Sequence, residues 1–178
     1  MLKKFFVAAM MTIFFAAENF CAAMPYSEMF LGGLTVGSSY ADMVNMYGQL
    51  SDREVDLGHM ASCGYGDSVD VGYIGGWGYI QIIRVSANNG WKTPSGLSVG
   101  DNISKALDIC GEPDYKKIGA YKTAYCYVHR NGNTMDYGFF ILFNKESGKI
   151  LQLELHGGER GIANFEDIYQ HIIKNMVE

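Results

Sequence analysis

GLSVGDNISKALDICGEP, residues 96–113, is the stretch that decides the fold, because it recurs 63 positions earlier as GLTVGSSYADMVNMYGQL, residues 33–50. The two align without a gap and share Gly33/Gly96, Leu34/Leu97, Val36/Val99, Gly37/Gly100 and Gly48/Gly111. Five identities in 18 positions exceed the roughly one expected from average composition. Each copy predicts a short amphipathic helix. In the first, Ser38 is expected to cap the free amide hydrogens and Asp42 places negative charge near the helix's positive end. Met43, Val44 and Tyr47 share a face, and Gly48 suits a left-handed C-terminal residue. In the second, Asp101 takes the capping role. Ile103, Ala106, Leu107 and Cys110 form the apolar stripe, and Gly111 and Pro113 end the helix. Helices of about three turns are marginal alone in water and need a surface to lie on.

The following residues supply that surface. Residues 121–129 alternate, with Tyr121, Thr123, Tyr125, Tyr127 and His129 on one side and Lys122, Ala124, Cys126 and Val128 on the other. Asn131-Gly132 predicts a hairpin turn, residues 135–144 the next strand, and residues 149–156 the last. The unit reads as a helix followed by a three-strand antiparallel meander. Matching residues recur in the first half: Ala61 and Cys63 with Ala124 and Cys126, Asp70 and Gly72 with Asp136 and Gly138, Gly78 with Gly148. Their offsets grow only at turns, as expected where equivalent strands are joined by variable loops. A last helix is expected from about residue 163 to 177, with Asn164 as cap and Phe165, Ile168, Ile172, Ile173 and Met176 on its buried face. The fold class is therefore α+β: two tandem helix-plus-antiparallel-meander repeats with a C-terminal helix.

The chain opens with Lys3 and Lys4, an uncharged apolar run over residues 5–17, and then Cys21-Ala22-Ala23. That layout reads as a secretory signal peptide ending at Ala23, with an apolar core too short to span a bilayer. The organisation is thus a signal peptide at 1–23, a lead-in and first repeat at 24–95, a second repeat at 96–157 and the helix at 158–178. Without residues 1–23, 12 basic side chains (14 less Lys3 and Lys4) face 18 acidic ones (19 less Glu18). A mildly acidic chain with no basic stripe argues against nucleic acid and against anionic lipid surfaces. It is expected to be secreted or extracytoplasmic, and not membrane-spanning once the signal peptide is removed.

HExxH, a phosphate loop and a dinucleotide-binding fingerprint are all missing, and no cofactor is expected. Cys63, Cys110 and Cys126 permit one disulfide and a spare thiol, or three buried thiols. Cys110 on the helical stripe and Cys126 on the small-residue face are expected to point into one layer. They form the candidate disulfide, worth about 3 kcal/mol for a loop of roughly 15 residues. If the helices cover Ala124, Cys126 and Val128, the tyrosines lie on the opposite, open face. Tyr121, Tyr125, Tyr127 and His129, with Gln152 and Glu154, then make the candidate partner-binding residues, since aromatic rows bury large area at low entropic cost.

The residues Val99-Gly100, Leu107 and Gly111-Glu112-Pro113, with the copy Val36-Gly37, Val44 and Gly48-Gln49-Leu50, resemble the SmpA/OmlA (BamE-like) repeat. Tandem copies are similar to the β-lactamase inhibitor protein architecture, in which two helix-plus-sheet units make a concave sheet that grips a partner. The resemblance implies an extracytoplasmic binding role. The expected function is a secreted or envelope, non-catalytic module that binds another extracytoplasmic protein through an aromatic-rich sheet face. The alternatives are a small extracytoplasmic hydrolase or metal site around His129, Glu154 and His156, or an oligomeric structural envelope component.

Overall fold

The two aligned stretches each contain an eight-residue helix, α1 (Tyr40–Tyr47) and α2 (Ile103–Cys110). The computed structural model describes residues 24–49, 51–56, 60–74, 78–131, 135–159 and 165–178. The expected signal segment with Cys21, the hairpin residue Gly132 and the cap Asn164 lie outside the described residues. The caps are Ser39, which accepts from the Asp42 N–H at 3.0 Å, and Asn102, which accepts from the Ser104 N–H at 3.0 Å. Each stands one residue later than the expected Ser38 and Asp101. Those two side chains close the preceding turn instead, Ser38 Oγ accepting from the Thr35 N–H at 3.0 Å and Asp101 Oδ2 from the Ser98 N–H at 2.9 Å. Gly48 and Gly111 end the helices as expected, at φ of +82° and +74°, donating to Val44 O and Leu107 O.

Four strands follow each helix. After α1 come β1 (Ser51–Asp56), β2 (Met60–Tyr65), β3 (Val69–Ile74) and β4 (Tyr79–Val85). After α2 come β5 (Tyr115–Ile118), β6 (Lys122–Asn131), β7 (Met135–Asn144) and β8 (Ile150–Glu159). They form one antiparallel sheet in the order β1-β2-β3-β4-β8-β7-β6-β5. The expected three-strand meander is thus a four-strand one in each half. The extra strands, SDREVD and YKKI, are the two outer edges. Charge along an edge strand discourages pairing with another chain, and it also hides the alternation by which a strand is read.

The helices are tied to the sheet by matching backbone bonds. Tyr40 N donates to Gly78 O at 2.7 Å and Ile103 N to Gly148 O at 2.9 Å. Ile80 N donates to Ser38 O and Ile150 N to Asp101 O, both at 2.9 Å. The lead-in packs under this layer, with Met24, Met29 and Leu31 buried. Its Glu28 carboxylate, also buried, accepts from Ser95 Oγ at 2.7 Å and from the Ser95 N–H at 3.2 Å, anchoring the loop between the halves.

Two apolar layers sandwich the second half of the sheet. The first joins Met43, Ala106 and Cys110 of the short helices to Ile83, Val85, Tyr125, Tyr127, Phe139, Ile141, Leu153 and Leu155. The second lies beneath α3 (Phe165–Val177), where Tyr169 and Ile173 meet Ala124, Cys126, Val128, Phe140 and Leu142. The chain is an α+β protein with three α-helices among its described residues, and none of its described helices is long and apolar enough to cross a membrane.

Candidate functional site

The expected assignment of faces is reversed. Tyr125 and Tyr127 point toward α2, and Tyr127 is fully buried with its hydroxyl donating to Gly111 O at 3.1 Å. They are core, not an open interface. The large rings fill the space under a short helix and Gly111 supplies the acceptor that a buried phenol needs. Ala124, Cys126 and Val128, which were expected beneath α2, lie beneath α3. Gly138 helps that helix to approach: a Cβ there would stand 2.8 Å from the Tyr169 ring.

The disulfide expectation falls with the same reversal. Cys110 belongs to the α2 layer and Cys126 to the α3 layer, on opposite faces of the sheet, and both are free and buried. Burial first, then the nearby Glu28 charge, pushes the Cys110 thiol up to about 12. Burial likewise raises Cys126, with Asp114 adding to it. Two protonated thiols used as small hydrophobes fit this setting.

The other candidate residues divide between the faces. Tyr121, 82 % exposed, stands at the β5–β6 turn. His129 shares the Tyr127 side and packs its ring 5.1 Å from Tyr26. Gln152 and Glu154 alternate onto the opposite side with His156. His129, Glu154 and His156 therefore do not converge, and among the described residues no group of three or more metal-binding side chains comes together.

Around Glu154, however, a polar array does assemble. Arg84 on β4 faces Glu154 on β8 in register, and Asp70 on β3 faces Arg84. The Arg84 guanidinium donates through Nε at 2.9 Å and Nη2 at 3.2 Å to the two Glu154 oxygens. Gln152 Nε2 donates to Glu154 Oε2 at 2.6 Å, and His156 Nε2 meets Oε1. Asp70 lies 3.7 Å from Arg84 Nη1. Burial alone would raise the Glu154 carboxyl, but the bonds and charges of His156 and then Arg84 outweigh it and hold it at about 2. Such a carboxylate is a fixed anion that positions its neighbours, and it is too weakly basic to accept a proton near neutral pH.

This array borders a cavity of about 400 Å³ between the sheet and α3, floored by Leu142 and walled by Ile172 and Met176. α3 packs on β5, β6 and β7. The polar array on β3, β4 and β8 continues the same sheet face beside it, with Asp70 exposed and Arg84 and Gln152 half-buried. Sequence reading found Gln152 and Glu154 but missed Arg84 and Asp70, because only the β4·β8 pairing brings them together.

Residues 96–100 also spell G-x-S-x-G, the spacing of a nucleophile elbow. Here Ser98 lies in the turn before α2 and its hydroxyl donates to Asp101 Oδ2 at 3.1 Å, which in turn accepts from Lys105 Nζ at 2.8 Å. The first copy has Thr35 in its place, donating to Met29 O at 2.6 Å. The Ser98 hydroxyl is thus used in closing a turn, and the Thr35 hydroxyl in holding the lead-in. Comparison of the chain with protein-family models, curated proteins and solved structures finds no match.

Proposed function

We propose that the chain is a secreted or envelope, non-catalytic protein-binding module made of two tandem helix-plus-meander units, as the resemblance to BamE-like repeats and the β-lactamase inhibitor protein architecture implies. The duplication is supported by the matching caps, turn closures and helix-to-sheet bonds of the two halves. The binding surface we infer is the sheet face on β3, β4 and β8, and no longer the tyrosine row.

The observation that carries this reading is the Asp70–Arg84–Glu154–Gln152 array beside α3. Buried Glu154 holds a half-exposed arginine in one orientation at the centre of the sheet. An arginine already ordered loses little side-chain entropy on binding, and arginine is enriched in the cores of protein interfaces. Asp70 beside it gives the surface alternating charge, which favours one partner and register over others. The test is capture of a partner from the native extracellular or envelope fraction. Asp70→Lys, a change at an exposed position, is expected to abolish capture, whereas Asn45→Lys on the exposed side of α1 leaves it intact. Equal capture by both variants would rule this face out.

A further inference from the structure

We propose that the β5–β6 turn is a contact site for an anionic lipid surface, an activity separate from the protein-binding face. Ile118 and Tyr121 flank this turn at 56 % and 82 % exposure, the two largest values among the exposed large hydrophobic residues of the described chain. Lysines surround them. Lys116 pairs with Tyr125 and Lys117 with Ala124, so consecutive ammonium groups leave β5 toward opposite faces of the sheet. Lys116 Nζ lies 5.2 Å above the Tyr125 ring. Lys145 joins them from the neighbouring turn, its N–H donating to Tyr121 O at 2.9 Å. Glu146 in the depression beside Tyr121 is one opposing charge, and the exposed Glu178 is another, since Val177 before it packs against Gly119 of the turn.

The chain as a whole is acidic, with a formal net charge of −5, so the whole-chain balance conceals this local excess. Lysines alone on an edge strand would be explained as a guard against edge-to-edge pairing. That explanation fails for Ile118 and Tyr121, because exposed apolar side chains at an edge invite the association that lysine guards against. An apolar apex with ammonium groups on both flanks suits a planar anionic surface. Ile118 and the Tyr121 ring enter the headgroup region, where tyrosine is favoured, and the lysines meet lipid phosphates around them. An acidic protein surface offers the same charge, but it would need a recess for Tyr121.

The test is co-sedimentation of the chain from Met24 onward, which contains every described element, with vesicles of equal parts phosphatidylglycerol and phosphatidylcholine. Binding is expected to these vesicles and not to pure phosphatidylcholine, and to fall steeply with added salt. Lys116→Glu/Lys117→Glu should abolish binding, since each lysine near such a surface contributes roughly fivefold in partition. Ile118→Ser/Tyr121→Ser should weaken it by roughly tenfold, and Lys92→Glu, in the loop between the halves, much less than the double lysine change. Circular dichroism confirms folding of each variant, and the salt titration of the unaltered chain decides the matter if a variant does not fold. Absence of binding to the anionic vesicles, or binding that survives both high salt and loss of the lysines, overturns the proposal. Retention on polyglutamate without vesicle binding overturns it in favour of an acidic protein.

Discussion

Arg84 and Glu154 stand directly opposite each other across the β4·β8 seam, joined by two hydrogen bonds of 2.9 and 3.2 Å. One residue comes from each half of the chain, so the contact that arranges the candidate surface also fastens the two meanders together.

Replacing Glu154 with glutamine should destabilise the fold by about 2 kcal/mol. A buried carboxylate held by the three side chains Arg84, Gln152 and His156 is converted into a neutral group with half the accepting capacity, and Arg84 loses its counter-charge. Urea denaturation at neutral pH measures it. An unchanged midpoint would mean that the array contributes nothing to the seam.

The same carboxylate sets an acid limit. Its value of about 2 lies below the ordinary 4.5, so folding favours the ionised form. Its contribution is complete above about pH 4.5 and is lost as pH falls toward 2. Stability of the unaltered chain should decline through that window, and the decline should be shallower in Glu154→Gln. Parallel profiles would assign the acid sensitivity to other carboxylates.

Tyr127→Phe should cost about 1 kcal/mol for the lost bond to Gly111 O, and Tyr127→Ala about 3–5 kcal/mol through the cavity left under α2. Thermal unfolding distinguishes the two. A Tyr127→Ala variant as stable as the parent would return this residue to the surface.

Cys110 and Cys126 should resist alkylation in the native protein and react in denaturant, with no Cys110–Cys126 cross-linked peptide in a non-reduced digest. Recovery of that peptide would contradict their placement on opposite faces of the sheet.

Much of this architecture is legible in the sequence for identifiable reasons. Gly48 and Gly111 mark helix ends because positive φ favours glycine, and residues 135–144 read as a strand because they are apolar and bounded by turns. The edge strands β1 and β5 are short and charged, so neither period nor composition reveals them. The alternation in β6 separates its two faces correctly and leaves open which face each helix covers. Tyrosine and alanine can both be core, and only packing decides. On α3 the expected Ile172, Ile173 and Met176 do pack in the layer beneath the helix, and Tyr169 joins them, a ring whose polar hydroxyl hides it from an apolar stripe. The Asp70–Arg84–Glu154 array was hidden because its members are 84 positions apart at the extremes and meet only through strand pairing.

Site-specific photo-crosslinking tests the central claim most directly. A photoreactive residue at Gln152, half-buried beside Arg84, should give one defined crosslinked species in the native extracellular or envelope fraction, and the same residue at Asn45 on α1 should not. Crosslinks from Asn45 with none from Gln152 would contradict the claim that this sheet face is the binding surface.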